Sequence, residues 1–189
     1  MPATALDPVT ALVVIDLQKA IVQRATAHPV QEVVQRAAAL AQAFRARRLP
    51  VVLVTVAGTA PGRTEQARGG TSFPPEALEL VPELAAQPSD HRVVKRTWGA
   101  FTGTDLQQHL RSLGVTQVLL AGVATSIGVE STARQAHEAG LNVSLAVDAM
   151  TDMSADAHDN SVARIFPRLG ETDATDAFLA LLAQRPVTQ

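Results

Sequence analysis

Short apolar runs recur along the chain with helical patterns between them. ALVVI (11–15), VVLVTV (51–56), RVVK (92–95), QVLLAGV (117–123) and NVSLAV (142–147) are rich in β-branched residues and too short for helices. They are continuous and not alternating, as expected of strands buried on both faces. Between the first two, Val30, Val33, Val34, Ala37, Leu40, Ala41 and Phe44 share one helical face. TDLQQHLRSLG places Thr104 and Gln107 in capping-box spacing and stops at Gly114. TSIGVESTARQAHEAG follows the fourth run and stops at Gly140. Further helices are expected over 154–166 and 172–184, with a very short strand around Leu169–Glu171. Alternating strands and helices predict an α/β fold, a three-layer α/β/α Rossmann-like domain with a mostly parallel five- or six-stranded sheet. No repeat or linker interrupts it, so residues 1–189 read as one domain. The segment 58–76, dense in glycine, proline and arginine, reads as a functional or mobile loop, or equally as a disordered crossover.

Composition narrows the function. With 47% hydrophobic and 18% charged residues the chain is globular, and a formal net charge of -2 argues against a nucleic-acid surface. Zero cysteines exclude disulfides, thiolate catalysis and cysteine-ligated metal. The N-terminal MPATALDPVTALVVIDLQ has no basic start, and its apolar run is too short for a signal or a membrane span. A soluble cytoplasmic protein is the expectation. Lys19 and Lys95 are the only lysines, and tyrosine is absent.

Open parallel sheets bind ligands beyond the carboxyl ends of their strands. There stand Asp16 after the first run, Lys95 at the third, Ala124, Thr125 and Ser126 after the fourth and Asp148 at the fifth. An acid and a lysine at one sheet edge shift each other's pKa and can share a proton. The competing reading of any one such aspartate is a helix cap.

Together these segments resemble the isochorismatase-like hydrolase superfamily over nearly the whole chain. The resemblance rests on VVIDLQ (13–18), KRTWGAFTGTDLQQHLRSLG (95–114), AGVATSIGVESTARQAHEAG (121–140), VDAM (147–150) and SADAHDNSVARIFPR (154–168). It implies an Asp–Lys–Cys triad at Asp16, Lys95 and position 128, where this chain has Gly128. The amide-hydrolysing members need that thiolate to form a covalent intermediate. The branch resembling isochorismatase itself also carries glycine there and splits a vinyl ether without an enzyme nucleophile. In that scheme Asp16 is the general acid, and Lys95 binds a carboxylate or stabilises developing negative charge. Gly128 leaves room beside a helix N-terminus that attracts anions. The chain departs from this branch at Ala124, in place of a tyrosine, and near Ala57, in place of a glutamine. The resemblance therefore does not name isochorismate as the substrate.

Three readings follow. The first is a nucleophile-free hydrolase of a small carboxylate. The second is an inactive small-molecule-binding or scaffold homologue, and the third an amide or imide hydrolase using Ser126 or water. Retention of the costly Asp16–Lys95 pair favours the first over the second. Arg68, or less well Arg63, is matched to a carboxylate-binding arginine or is a solvated loop residue. Trp98 and Phe101 wall the pocket or serve core or subunit contacts. Thr125 and Ser126 are substrate-binding candidates, or helix caps. The histidines at 28, 91, 109, 137 and 158 show no metal-ligand spacing, and His158 is expected on a helix surface. Asp148 is expected to order a turn, and GVATS to hold a strained or cis peptide, as the resemblance implies. No cofactor or metal is expected, no membrane partner, and a homo-oligomer of two or more copies.

Overall fold

The computed structural model describes residues 2–25, 27–65 and 70–185. Six parallel strands run in the spatial order β3-β2-β1-β4-β5-β6. They are β1 (Thr10–Ile15), β2 (Val51–Val56), β3 (His91–Lys95), β4 (Gln117–Val123), β5 (Asn142–Thr151) and β6 (Glu171–Asp173). The order turns back between β1 and β4, which is where a doubly wound sheet opens a crevice at its carboxyl edge.

Helices cover both faces because successive strand side chains point to opposite sides. Leu12 and Val14 of β1 join one buried cluster with Leu40 and Phe44 of α2 (Val30–Ala46) and with Phe178 and Leu182 of α6 (Thr175–Ala183). Ala11, Val13 and Ile15 join the other. That second cluster includes Leu106 and Leu110 of α3 (Leu106–Ser112), Ala133 and Ala136 of α4 (Glu130–Glu138), and Phe166. The remaining helices are short: α1 (Lys19–Val22) and α5 (Ala155–Asn160).

The expected glycine stops are present, with Gly114 at φ 67° and Gly140 at φ 82°. The expected capping box of Thr104 with Gln107 does not form: α3 begins one residue later, after Asp105, and Thr104 Oγ1 accepts instead from Leu106 N at 3.3 Å. Three other boundaries differ from expectation. The helix expected over 154–166 gives way after Asn160 to a wider π turn at Ser161–Ile165. β5 continues past Asp148 to Thr151, since a register shift between Leu120 and Gly122 of β4 accommodates the extra residues. The final strand lies at Glu171–Asp173, two residues beyond its expected place. No helix among the described residues is long and apolar enough to cross a membrane.

Candidate active site

Lys95 ends β3 and Asp16 follows β1, with β2 between them. Strands two places apart are separated by roughly 10 Å, a gap that a lysine and an aspartate reaching over the same strand end can close. Lys95 Nζ donates to Asp16 Oδ2 at 2.6 Å and to the Thr97 carbonyl at 3.3 Å. The pair lies inside the fold, with Lys95 2% and Asp16 5% exposed. Asp16 has φ 51°, in the left-handed region, at the point where the chain leaves β1. Aspartate is one of the few non-glycine residues that adopts it readily.

Burial pushes the Asp16 carboxyl up from 3.8 to about 6, although the neighbouring Lys95 charge and its hydrogen bond pull the other way. Desolvation wins because the whole carboxylate is removed from water while one cation serves only Oδ2. Oδ1 is buried and has no hydrogen-bond partner among the described residues. It is the carboxylate oxygen that Lys95 does not serve.

Beside this acid, β4 leads through a cis Val123–Ala124 peptide into a wide turn, Thr125–Val129, that runs directly into α4. A cis or strained peptide is thus present where GVATS was expected to hold one. A Cβ built on Gly128 would stand 3.0 Å from Ile15 Cγ2 and 3.3 Å from both Asp16 Oδ2 and the Val123 carbonyl oxygen. The bare glycine backbone keeps that crowding away from Asp16 Oδ2.

A cleft of about 180 Å³ opens here, lined by Asp16, Lys95, Trp98, Ala124 and Gly128 of the residues singled out in the sequence. Trp98 is 60% exposed at its rim. Three other expected residues do not line it. Thr125 is fully buried, with its Oγ1 2.8 Å from His158 Nδ1. Ser126 donates through both backbone N and Oγ to Asp152 Oδ2, at 2.7 and 2.8 Å. Phe101 packs against the cluster on the α3–α4 face, because its backbone N is held by Gln135 Oε1. Arg63 is exposed and outside the lining, and Arg68 falls outside the described residues.

His158 is buried and not on a helix surface as expected, and its ring lies 4.4 Å from that of His28. Burial, then the His28 charge, holds its pKa below the ordinary value. Asp148 accepts from Thr175 N and Oγ1, both at 2.7 Å, so it orders the start of α6. Lys19 is at the surface, paired with Glu79 at 2.6 Å.

The sequence reading missed three residues. Gln18 is fully buried; its Oε1 accepts from Val56 N at 2.6 Å and its Nε2 donates to the Ala77 carbonyl at 2.7 Å, fixing the end of β2. Asp152, directly after β5, holds the turn that carries Gly128. The true extent of β5, hidden by its irregular register, would have pointed to it. Arg24, in the turn after α1, lines the cleft.

A family model described as the isochorismatase domain matches residues 10–177. The chain is 43% identical over 182 residues to the isochorismatase family protein YecD of Escherichia coli O157:H7, covering 92% of this chain and 96% of that one. It is 41% identical over 180 residues to YwoC of Bacillus subtilis (strain 168), another isochorismatase family protein, covering 90% and 92%. The structure of an isochorismatase family protein from Burkholderia thailandensis superposes with a TM-score of 0.90 at 41% identity, over 95% and 98% of the two chains. The motifs, the strand order and these similarities agree: the chain belongs to the isochorismatase family of hydrolases.

Proposed function

We propose that the protein hydrolyses the vinyl ether of a small carboxylate by acid catalysis, with Asp16 as the acid and no enzyme nucleophile. One observation carries this reading: a buried carboxyl with a raised pKa and an unpartnered Oδ1 lines a cleft that offers no thiol. At pH 7 a carboxyl with pKa about 6 is roughly one-tenth protonated, and a bound substrate carboxylate nearby raises that fraction.

The reaction begins with Asp16 passing its proton to the terminal methylene carbon of the enol ether. The new C–H bond forms as the double bond's electron pair is drawn out, leaving an oxocarbenium centre. Two charges then stabilise the transition state: Lys95 holds the emerging Asp16 carboxylate, and that carboxylate faces the cation. Water adds to the cation and returns a proton to Asp16. The resulting hemiketal collapses to a ketone and an alcohol, so one water is consumed and the acid is restored. For an enolpyruvyl ether the ketone is pyruvate.

Ser126 is poorly suited to the amide or imide alternative. Its hydroxyl is turned toward Asp152, and Ser126 does not line the cleft.

The test is pyruvate release from isochorismate, run in deuterium oxide beside the Asp16→Asn variant. The reading expects pyruvate carrying one solvent deuteron in its methyl group, and a loss of at least 10³-fold in the variant. Release that is undiminished in the variant would remove Asp16 from the chemistry. If isochorismate raises the melting temperature without releasing pyruvate, the protein is a binder of this compound and not its hydrolase.

A further inference from the structure

A carboxylated substrate needs a cation, and Lys95 is largely committed: its ammonium already serves Asp16 Oδ2 and the Thr97 carbonyl. Among the described residues, three charged side chains line the cleft: Asp16, Lys95 and Arg24. The first two cancel. Among the described residues, no carboxylate pairs with the Arg24 side chain. Arg36, Arg45 and Arg134, by contrast, are paired with Glu32, Asp90 and Glu130. Arg24 therefore gives the described lining of the cleft a net positive charge.

The other walls are mainly apolar, including Ile21, Phe73, Trp98, Ile127 and Met153. The volume of about 180 Å³ is below the roughly 300–1,000 Å³ of pockets for drug-sized ligands. That leaves room for a single ring with short substituents.

We infer that Arg24 is the substrate's carboxylate anchor, and that the site selects a small carboxylate with a one-ring body. This rests on the cleft being the substrate site of the proposed reaction. The guanidinium fork matches a carboxylate with two parallel hydrogen bonds, while the ring lies against Trp98 and Phe73. Charge placed at the rim attracts the substrate and fixes which end enters. The reacting carbon is then left to the acid at the floor.

Trp98 is the chain's only tryptophan and lines this cleft, so its fluorescence reports occupancy directly. Benzoate and its neutral isostere benzamide are titrated into the wild type, Arg24→Gln and Arg24→Lys. Arg24 is exposed, so both variants are expected to keep the wild-type melting temperature. The expected result is a benzoate Kd about tenfold or more weaker in Arg24→Gln, partly recovered in Arg24→Lys, with benzamide binding the same in all three. Equal benzoate affinity in wild type and Arg24→Gln would overturn the assignment. So would equal affinity of the wild type for benzoate and benzamide, or no benzoate response at all.

Pyruvate release from isochorismate separates this inference from the reaction. Arg24-dependent benzoate binding without pyruvate release keeps the anchor and removes the acid-catalysed reaction. Release with an unchanged KM in Arg24→Gln removes the anchor and keeps the reaction.

Discussion

Consider replacing both members of the buried pair with neutral residues of similar size, Asp16→Asn with Lys95→Met. The wild-type Asp16 carboxyl has its pKa raised from 3.8 to about 6 by burial, against the pull of Lys95. The folded protein therefore binds a proton more tightly than the unfolded chain does. Because the folded pKa is the higher one, this contribution to stability is fully present below 3.8 and is lost as pH rises through about 6. At about 1.36 kcal/mol per unit, the whole effect is on the order of 3 kcal/mol. Most of it lies at pH values where other carboxylates also titrate, so the informative window is narrower. Between pH 7 and pH 5 linkage gives a gain on the order of 1 kcal/mol for the wild type. The double variant lacks both groups and supplies the baseline for every other titration. Urea denaturation of both proteins at half-unit steps from pH 5 to 7 measures the difference. The wild type should gain on the variant steadily as the pH falls. A difference that stays constant across the window, or that shrinks on acidification, would refute the raised pKa and with it the protonated acid on which the mechanism depends.

Other substitutions test separate parts of the site. Gly128→Ala would place a methyl 3.0 Å from Ile15 Cγ2 and 3.3 Å from Asp16 Oδ2. A helical Gly-to-Ala gain of about 1 kcal/mol opposes that crowding, so urea denaturation should show a stability change under about 2 kcal/mol while kcat/KM falls at least tenfold. Gly122→Ala is a different case, since its Cβ would stand 2.0 Å from the Ile15 carbonyl oxygen at φ 122°. Forcing β1 and β4 apart should cost more than about 4 kcal/mol, seen as insoluble expression or a collapse of the melting temperature. Asp152→Ala strips the acceptor from Ser126 N and Oγ and from Met153 N. A loss of about 2–3 kcal/mol on thermal or chemical denaturation is expected, and a change within 0.5 kcal/mol would show that the turn holds itself.

What the sequence by itself determined is the part governed by local pattern. Continuous β-branched runs separated by 3.6-period segments dictate buried parallel strands with helices between them, so the layered fold and the strand-end positions of Asp16 and Lys95 were legible. Helix stops at Gly114 and Gly140 were legible for the same reason, because only a local backbone conformation is involved. The absent thiol at Gly128 was legible too, through the motif around it.

The tertiary structure alone decided which strand-end residues meet. Asp16 and Lys95 are 79 positions apart in the chain and touch only because β1 and β3 flank β2. It decided that Ser126 and Thr125 turn away from the cleft, toward Asp152 and His158, and that β5 runs past Asp148. It also placed Arg24 on the cleft, from a turn with no distinguishing pattern. Period and capping are properties of neighbouring residues and are written in the sequence directly. The raised pKa of Asp16 and the uncompensated charge of Arg24 are sums over groups brought together from distant segments, and those sums exist only once the sheet has formed.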